Sequence, residues 1–173
     1  MLDLCFHHGG HFPHCQTHVD RRFSGYYTLQ FMAAGALMYE RDDHRLHLEG
    51  AWCWGTPHGA RLRYRPSGSD GQWDHRYIAF SGPLADRWAA DGLIPTEPQP
   101  TPDPKGFAQG TDRLIMLFQR GGIWDRQLAA NQLERLLMEL HAARSGAIRD
   151  DALSAAISAA GDPQRRYSLD ELA

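Results

Sequence analysis

The chain has 173 residues, 42% of them hydrophobic, and carries 18 basic against 21 acidic side chains for a net charge of −3. That length and composition describe about one domain with a core of ordinary size, and the acidic balance excludes DNA binding through a basic face of its own. No 18-residue apolar run reads as a membrane span, no apolar h-region marks a signal peptide near the start, and Cys5, Cys15 and Cys53 form no disulfide framework, which fits a cytoplasmic location.

Residues 1–24 read as a polar arm. Cys5, His7, His8, His11, His14, Cys15 and His18 concentrate soft metal ligands there. Gly9, Gly10 and Pro13 argue against a helix that would gather them. A metal site, a lid over a pocket and a free polar tail are all compatible with this composition. Residues 25–82 read as strands: 26–32, 36–40, 44–49, 51–54, 60–65 and 73–80, separated by Gly35, Asp42-Asp43, Gly50, Gly55-Thr56-Pro57 and the loop 66–71. In the strand 44–49, His44, Leu46 and Leu48 share one face and Arg45, His47 and Glu49 the other. Short strands at this spacing predict a sandwich or small barrel.

Five of the ten prolines fall in residues 95–104, which predicts an extended spacer within a linker over 95–110. Helices follow within 111–161: one over 111–120, ended by Gly121-Gly122, a longer one over 125–145, and an Ala-rich one over 150–160. In the long helix Ala129, Leu133, Leu136, Leu140 and Ala143 are spaced 4, 3, 4, 3, a heptad seam that predicts an antiparallel helix pair in a homodimer. Ser168-Leu169-Asp170-Glu171 is a capping box that opens a further helix, so residues 162–173 are expected to begin another domain.

The stretch 25–82 resembles the effector-binding half of AraC/XylS-type transcription regulators. The features that carry this are Gly25-Tyr26-Tyr27 opening a strand that runs to Gly35, Gly50 before an apolar strand ending at Pro57, and Trp73-Asp74-His75-Arg76-Tyr77-Ile78-Ala79-Phe80-Ser81-Gly82, similar to the family's W-x-H-x-[WY]-[IV]-x-F-x-G. Residues 165–173 are similar to the start of that family's helix-turn-helix domain. The resemblance implies an α+β chain. A cupin-like double-stranded β barrel (jelly roll) over 25–94 would hold a small effector, and a C-terminal helical segment would dimerise. DNA would be bound only through the domain beyond residue 173, and no cofactor or catalytic residue is implied.

His75, Tyr77 and Trp73 lie two apart and share a strand face, so they are expected to line the pocket. Trp54, paired in spacing with Trp52, and Arg61, paired with Arg63, are expected at its rim. Arg22, next to Arg21, occupies the place where the resemblance puts an effector-contacting Arg. Aromatic faces with Arg and His donors suit a sugar, the leading effector candidate. The alternative is a metal-dependent cupin enzyme acting on a small sugar-like or acidic substrate, with His44, His47 and Glu49 as its nearest approach to a ligand set. His44 and His47 are three apart, so one strand cannot turn both to a single metal.

Overall fold

The computed structural model describes the backbone of residues 3–160 and the side chains of 3–146. The expected domain start at 162–173, with its capping box, lies outside the described residues. The chain forms two compact units, 1–141 and 142–173. In the first, strands β1 (Cys5–Cys15), β2 (Val19–Arg22), β3 (Tyr27–Arg41), β4 (His44–Glu49), β5 (Trp52–Thr56), β6 (Arg61–Pro66) and β7 (Trp73–Ser81) come first. Helix α1 (Pro83–Ala90), the short strand β8 (Gln99–Pro100), helix α2 (Pro104–Arg120) and the first half of helix α3 (Ile123–Ala160) follow.

All pairings are antiparallel, in two sheets that share β3. Residues 27–35 of β3 lie between β7 and β5, in the order β1-β7-β3-β5-β8. Residues 36–41 lie between β4 and β6, with β2 beyond β6. The crossing point is Gly35, whose φ of 104° is open only to glycine without strain. An added Cβ there would also meet the Trp73 backbone at 2.8 Å. The two strands read at 26–32 and 36–40 are thus one strand that changes sheets at its glycine.

Period-2 alternation assigns the two faces. Met32, Trp54, Tyr64 and Trp73 turn inward with Cys15, Phe23, Leu37, Tyr39, Leu48 and Leu62 to fill the barrel. Leu29, Phe31, Ile78 and Phe80 turn outward and pack under Trp88, Phe107, Leu114, Leu117 and the inner face of α3.

The arm is part of this architecture. Residues 5–15 pair along the whole of β7, and 19–22 pair with β6. Two register shifts in β1 direct its side chains. Phe6 packs on the helix side against Phe118, yet His8, two residues on, faces the barrel cavity. The shift between Phe6 and His8 supplies the extra residue that reverses the alternation. A second shift between Phe12 and Cys15 keeps both of those on the cavity side.

The proline-rich segment is a packed strap and not a spacer. Gln99 and Pro100 pair with Cys53 and Trp52, and Gln99 Nε2 donates to the Leu140 carbonyl at 3.1 Å. Helix α2 begins inside the expected linker because Asp103 caps it, accepting from the Gly106 amide at 3.0 Å, with Pro104 at the first turn. The helices read at 125–145 and 150–160 are one continuous helix.

That helix also corrects the expected dimer seam. Ala129, Leu133, Leu136 and Leu140 are each at most 1% exposed within the single chain, against α1, α2 and the sheet, so they have no surface left for a partner. Ala143, in the second unit, is half-buried. The spacing was that of a stripe facing its own core, which a heptad pattern shares over two heptads.

Candidate functional site

A cavity of about 220 Å³ opens at one end of the barrel between β1, β2, β3, β6 and β7. Its back wall is the inward face of β7. Trp73, His75 and Tyr77 stand on alternate residues with their rings nearly parallel: Trp73 to His75 4.0 Å between centroids at 28°, His75 to Tyr77 5.3 Å at 22°. Phe12 of β1 stacks on Tyr77 at 6.2 Å and 14°, extending this ladder toward solvent, where it is half exposed. An added Cβ at Gly10 would meet the Phe12 ring at 2.9 Å, so the glycine gives that ring its place.

Behind the rings runs a chain of buried polar groups. Gln30 Nε2 donates to Thr28 Oγ1 at 3.0 Å, which fixes the amide so that Gln30 Oε1 faces His75 Nε2 at 2.7 Å. Thr28 Oγ1 in turn donates to Thr56 Oγ1 at 2.6 Å. Burial, with His11 adding a smaller effect, pushes the His75 pKa down to about 3. The imidazole is therefore neutral at neutral pH, protonated on Nε2, and its Nδ1 is an acceptor with only the Cys15 thiol beside it at 3.9 Å. Burial chiefly, then the charges of Arg21 and His7, lower the pKa of His8, which stands on the adjoining strand β1 with its ring 5.6 Å from Tyr77.

Arg21 borders the cavity where it meets solvent. Its guanidinium lies 4.7 Å over the Phe23 ring and donates to the Tyr26 hydroxyl. The neighbouring positions turn away. Arg22 donates to the Gly59 carbonyl at 2.8 Å, and Arg61 is held on Asp20 at 2.8 Å, with Arg63 on the same carboxylate at 3.3 Å. Neither Arg22 nor Arg61 lines the cavity, because β2 and β6 present their even-numbered and odd-numbered arginines, respectively, to solvent. Trp54 is also absent from its wall. It lies one layer deeper, fully buried, with its ring 6.0 Å from Trp73.

Of the six side chains expected at the pocket, the structure gathers Trp73, His75 and Tyr77 on one wall and leaves Arg61, Trp54 and Arg22 off it. It adds Gln30 and Thr28, and of the adjacent pair Arg21 and Arg22 it brings Arg21 to the cavity. Gln30 and Thr28 had a visible signal: two polar residues two apart in an otherwise apolar strand. The histidines of the arm are dispersed. His8 lines the cavity, His7 bonds Ser81 Oγ at 2.8 Å, and His11 joins Asp74 and Asp112 at 2.9 and 3.4 Å. His44, His47 and Glu49 are exposed on β4, and among the described residues no three His, Cys, Asp or Glu side chains converge as a metal site.

A barrel with its own N-terminal strand paired along β7, an aromatic-lined cavity and a helical layer outside has the parts of a sensing domain. The AraC-like ligand binding domain model matches residues 9–159. The chain belongs to this family. Its α+β fold is accordingly cupin-like, and the AraC-like domain is a small-molecule binding module of the kind found in regulators rather than enzymes. No curated protein matches the chain. Among the described residues of this AraC-like domain, no helix is long and apolar enough to cross a membrane.

Proposed function

We propose that the chain is the ligand-sensing and dimerising part of a cytoplasmic transcription regulator. A small effector bound in the barrel cavity controls DNA binding by a helix-turn-helix domain, the role that the family resemblance gives to the segment following the helices. The observation that carries this reading is the cavity itself. An ordinary barrel core would place Val, Ile or Leu where Trp73, His75 and Tyr77 stand, and would close on them.

The homodimer is proposed through the C-terminal helices, on the outer face of α3 in place of the buried seam. Trp124, Leu128 and Met138 are 78%, 46% and 52% exposed there. With Asn131 and Arg135 between them they repeat the 4, 3, 4, 3 spacing on the solvent side.

A thermal-shift screen of the chain against sugars, polyols, small acids and amines tests the sensing reading. A true ligand at a hundred-fold excess over its Kd adds about 2.7 kcal/mol to stability, and His75→Ala should abolish most of that gain. A screen in which no compound stabilises the wild type more than the His75→Ala variant overturns the pocket as a sensing site.

A further inference from the structure

The charge and hydrogen-bonding inventory of the cavity points to the class of its ligand, an inference that rests on the sensing reading above. Arg21 is the only Lys, Arg, Asp or Glu on the cavity wall. Other arginines of the barrel are engaged with carboxylates: Arg41 with Glu97, Arg45 with Glu40, Arg61 with Asp20, and Arg76 with Asp74 and Asp112. Among the described residues Arg21 has no such partner. Its contacts, the Tyr26 hydroxyl and the Phe23 ring, leave its positive charge uncompensated. The charge is felt across the cavity, acting on the titration of His8, Tyr64 and Tyr77.

Trp73 is 2% exposed, and its indole Nε1–H is buried with no partner. Trp54 Nε1 and the Tyr39 hydroxyl, in the same buried cluster, are without a partner too. The side-chain acceptors Gln30 Oε1 and Thr28 Oγ1 each already accept one hydrogen bond. His75 Nδ1, the His8 imidazole and the hydroxyls of Thr17, Tyr64 and Tyr77 complete the polar lining. A polyol brings one O–H donor with every oxygen and no charge to meet Arg21. A carboxylate brings acceptors only. The rest of the wall is flat aromatic surface, and the volume is below the roughly 300–1,000 Å³ of pockets for drug-sized ligands.

We propose that the cavity takes a small monocarboxylate with an apolar body, its carboxylate on Arg21 at the opening and its body against the Trp73–His75–Tyr77 ladder beneath Phe12. An Arg suits the role because its planar fork meets both carboxylate oxygens at once.

The test uses the ¹⁵N-labelled chain and three pairs of probes, benzoate with benzamide, hexanoate with hexanamide and glucose with arabinose, with each acid and amide repeated on Arg21→Gln. The Trp73 indole N–H is the reporter. A carboxylate is expected to move that signal and to bind at least about ten-fold more tightly than its amide. Arg21→Gln should weaken the acid by about ten- to a hundred-fold, the loss of a charge-assisted contact, and leave the amide unchanged. Arg21→Lys should restore part of the loss. Should an amide or a sugar move the Trp73 signal as tightly as the acid, or the acid bind Arg21→Gln undiminished, the carboxylate proposal is overturned and the sensing reading stands. If no probe moves it, the carboxylate proposal falls, and the broader thermal-shift screen decides the sensing reading separately.

Discussion

His75 shows how one residue joins stability to recognition. Its folded-state pKa of about 3 lies below the 6.5 of an unfolded histidine, so between those values the unfolded chain binds more protons. The stability that depends on a neutral His75 is complete above pH 6.5 and is lost as pH falls toward 3. At pH 5 the loss is about 2 kcal/mol. Urea denaturation at pH 7 and pH 5 should show that drop in the wild type and a smaller one in His75→Gln. Separately, His75→Ala should weaken effector binding by about 1–3 kcal/mol, since the ligand would lose the imidazole face and its Nδ1 acceptor. The β7 ladder was legible in the sequence because period 2 fixes which residues share a strand face, and three polar aromatics on one face are uncommon in a closed core. The arginines were not legible. A one-residue change of register exchanges Arg21 for Arg22 and turns Arg61 outward, and nothing local in the sequence sets the register of β2 against β6.

At the level of elements, amphipathic patterns showed which side chains travel together but not what they meet. The α3 stripe was read correctly as a stripe and wrongly as an interface, because a face packed on a partner helix and one packed on its own barrel have the same composition. The two alternatives separate under mutation. Leu136, 1% exposed in the core, should not tolerate a charge: Leu136→Glu is expected to lose several kcal/mol and unfold at ordinary temperature, read by circular dichroism. The proline segment likewise announced extended backbone without revealing that Gln99 and Thr101 dock it on β5 and α3. In β1 the signals were the glycines. An added Cβ at Gly9 would meet the Tyr77 carbonyl at 2.8 Å and Ile78 Cδ1 at 2.6 Å. Gly9→Ala should therefore destabilise the chain by about 1–3 kcal/mol in thermal denaturation, through overpacking between β1 and β7.

Across the first compact unit, the helical layer and the cavity are tied by one buried cation. Arg76, 6% exposed on the outer face of β7, bonds Asp74 at 2.6 Å and Asp112 of α2 at 2.7 Å, and His11 of β1 reaches both carboxylates. Burial works against its charge, but the bonds to Asp112 and Asp74 outweigh this and raise its pKa. The outer face of α3 gives the assembly prediction: Trp124→Glu with Met138→Glu should leave the melting temperature within a few degrees of wild type and convert a dimer to a monomer in sedimentation at tens of micromolar. A wild-type monomer at that concentration argues against the dimer. The hydrogen-bonded chain from His75 through Gln30 and Thr28 to Thr56 is complete in the protein itself. That chain links β3, β5 and β7, while Phe12 and Arg21, on β1 and β2, form the exposed border of the cavity. Replacements along 8–21 could retune what is sensed without touching that internal chain, which makes the first strands the natural target for diversification in a biosensor library and the segment through which such a module would acquire new effectors over evolutionary time.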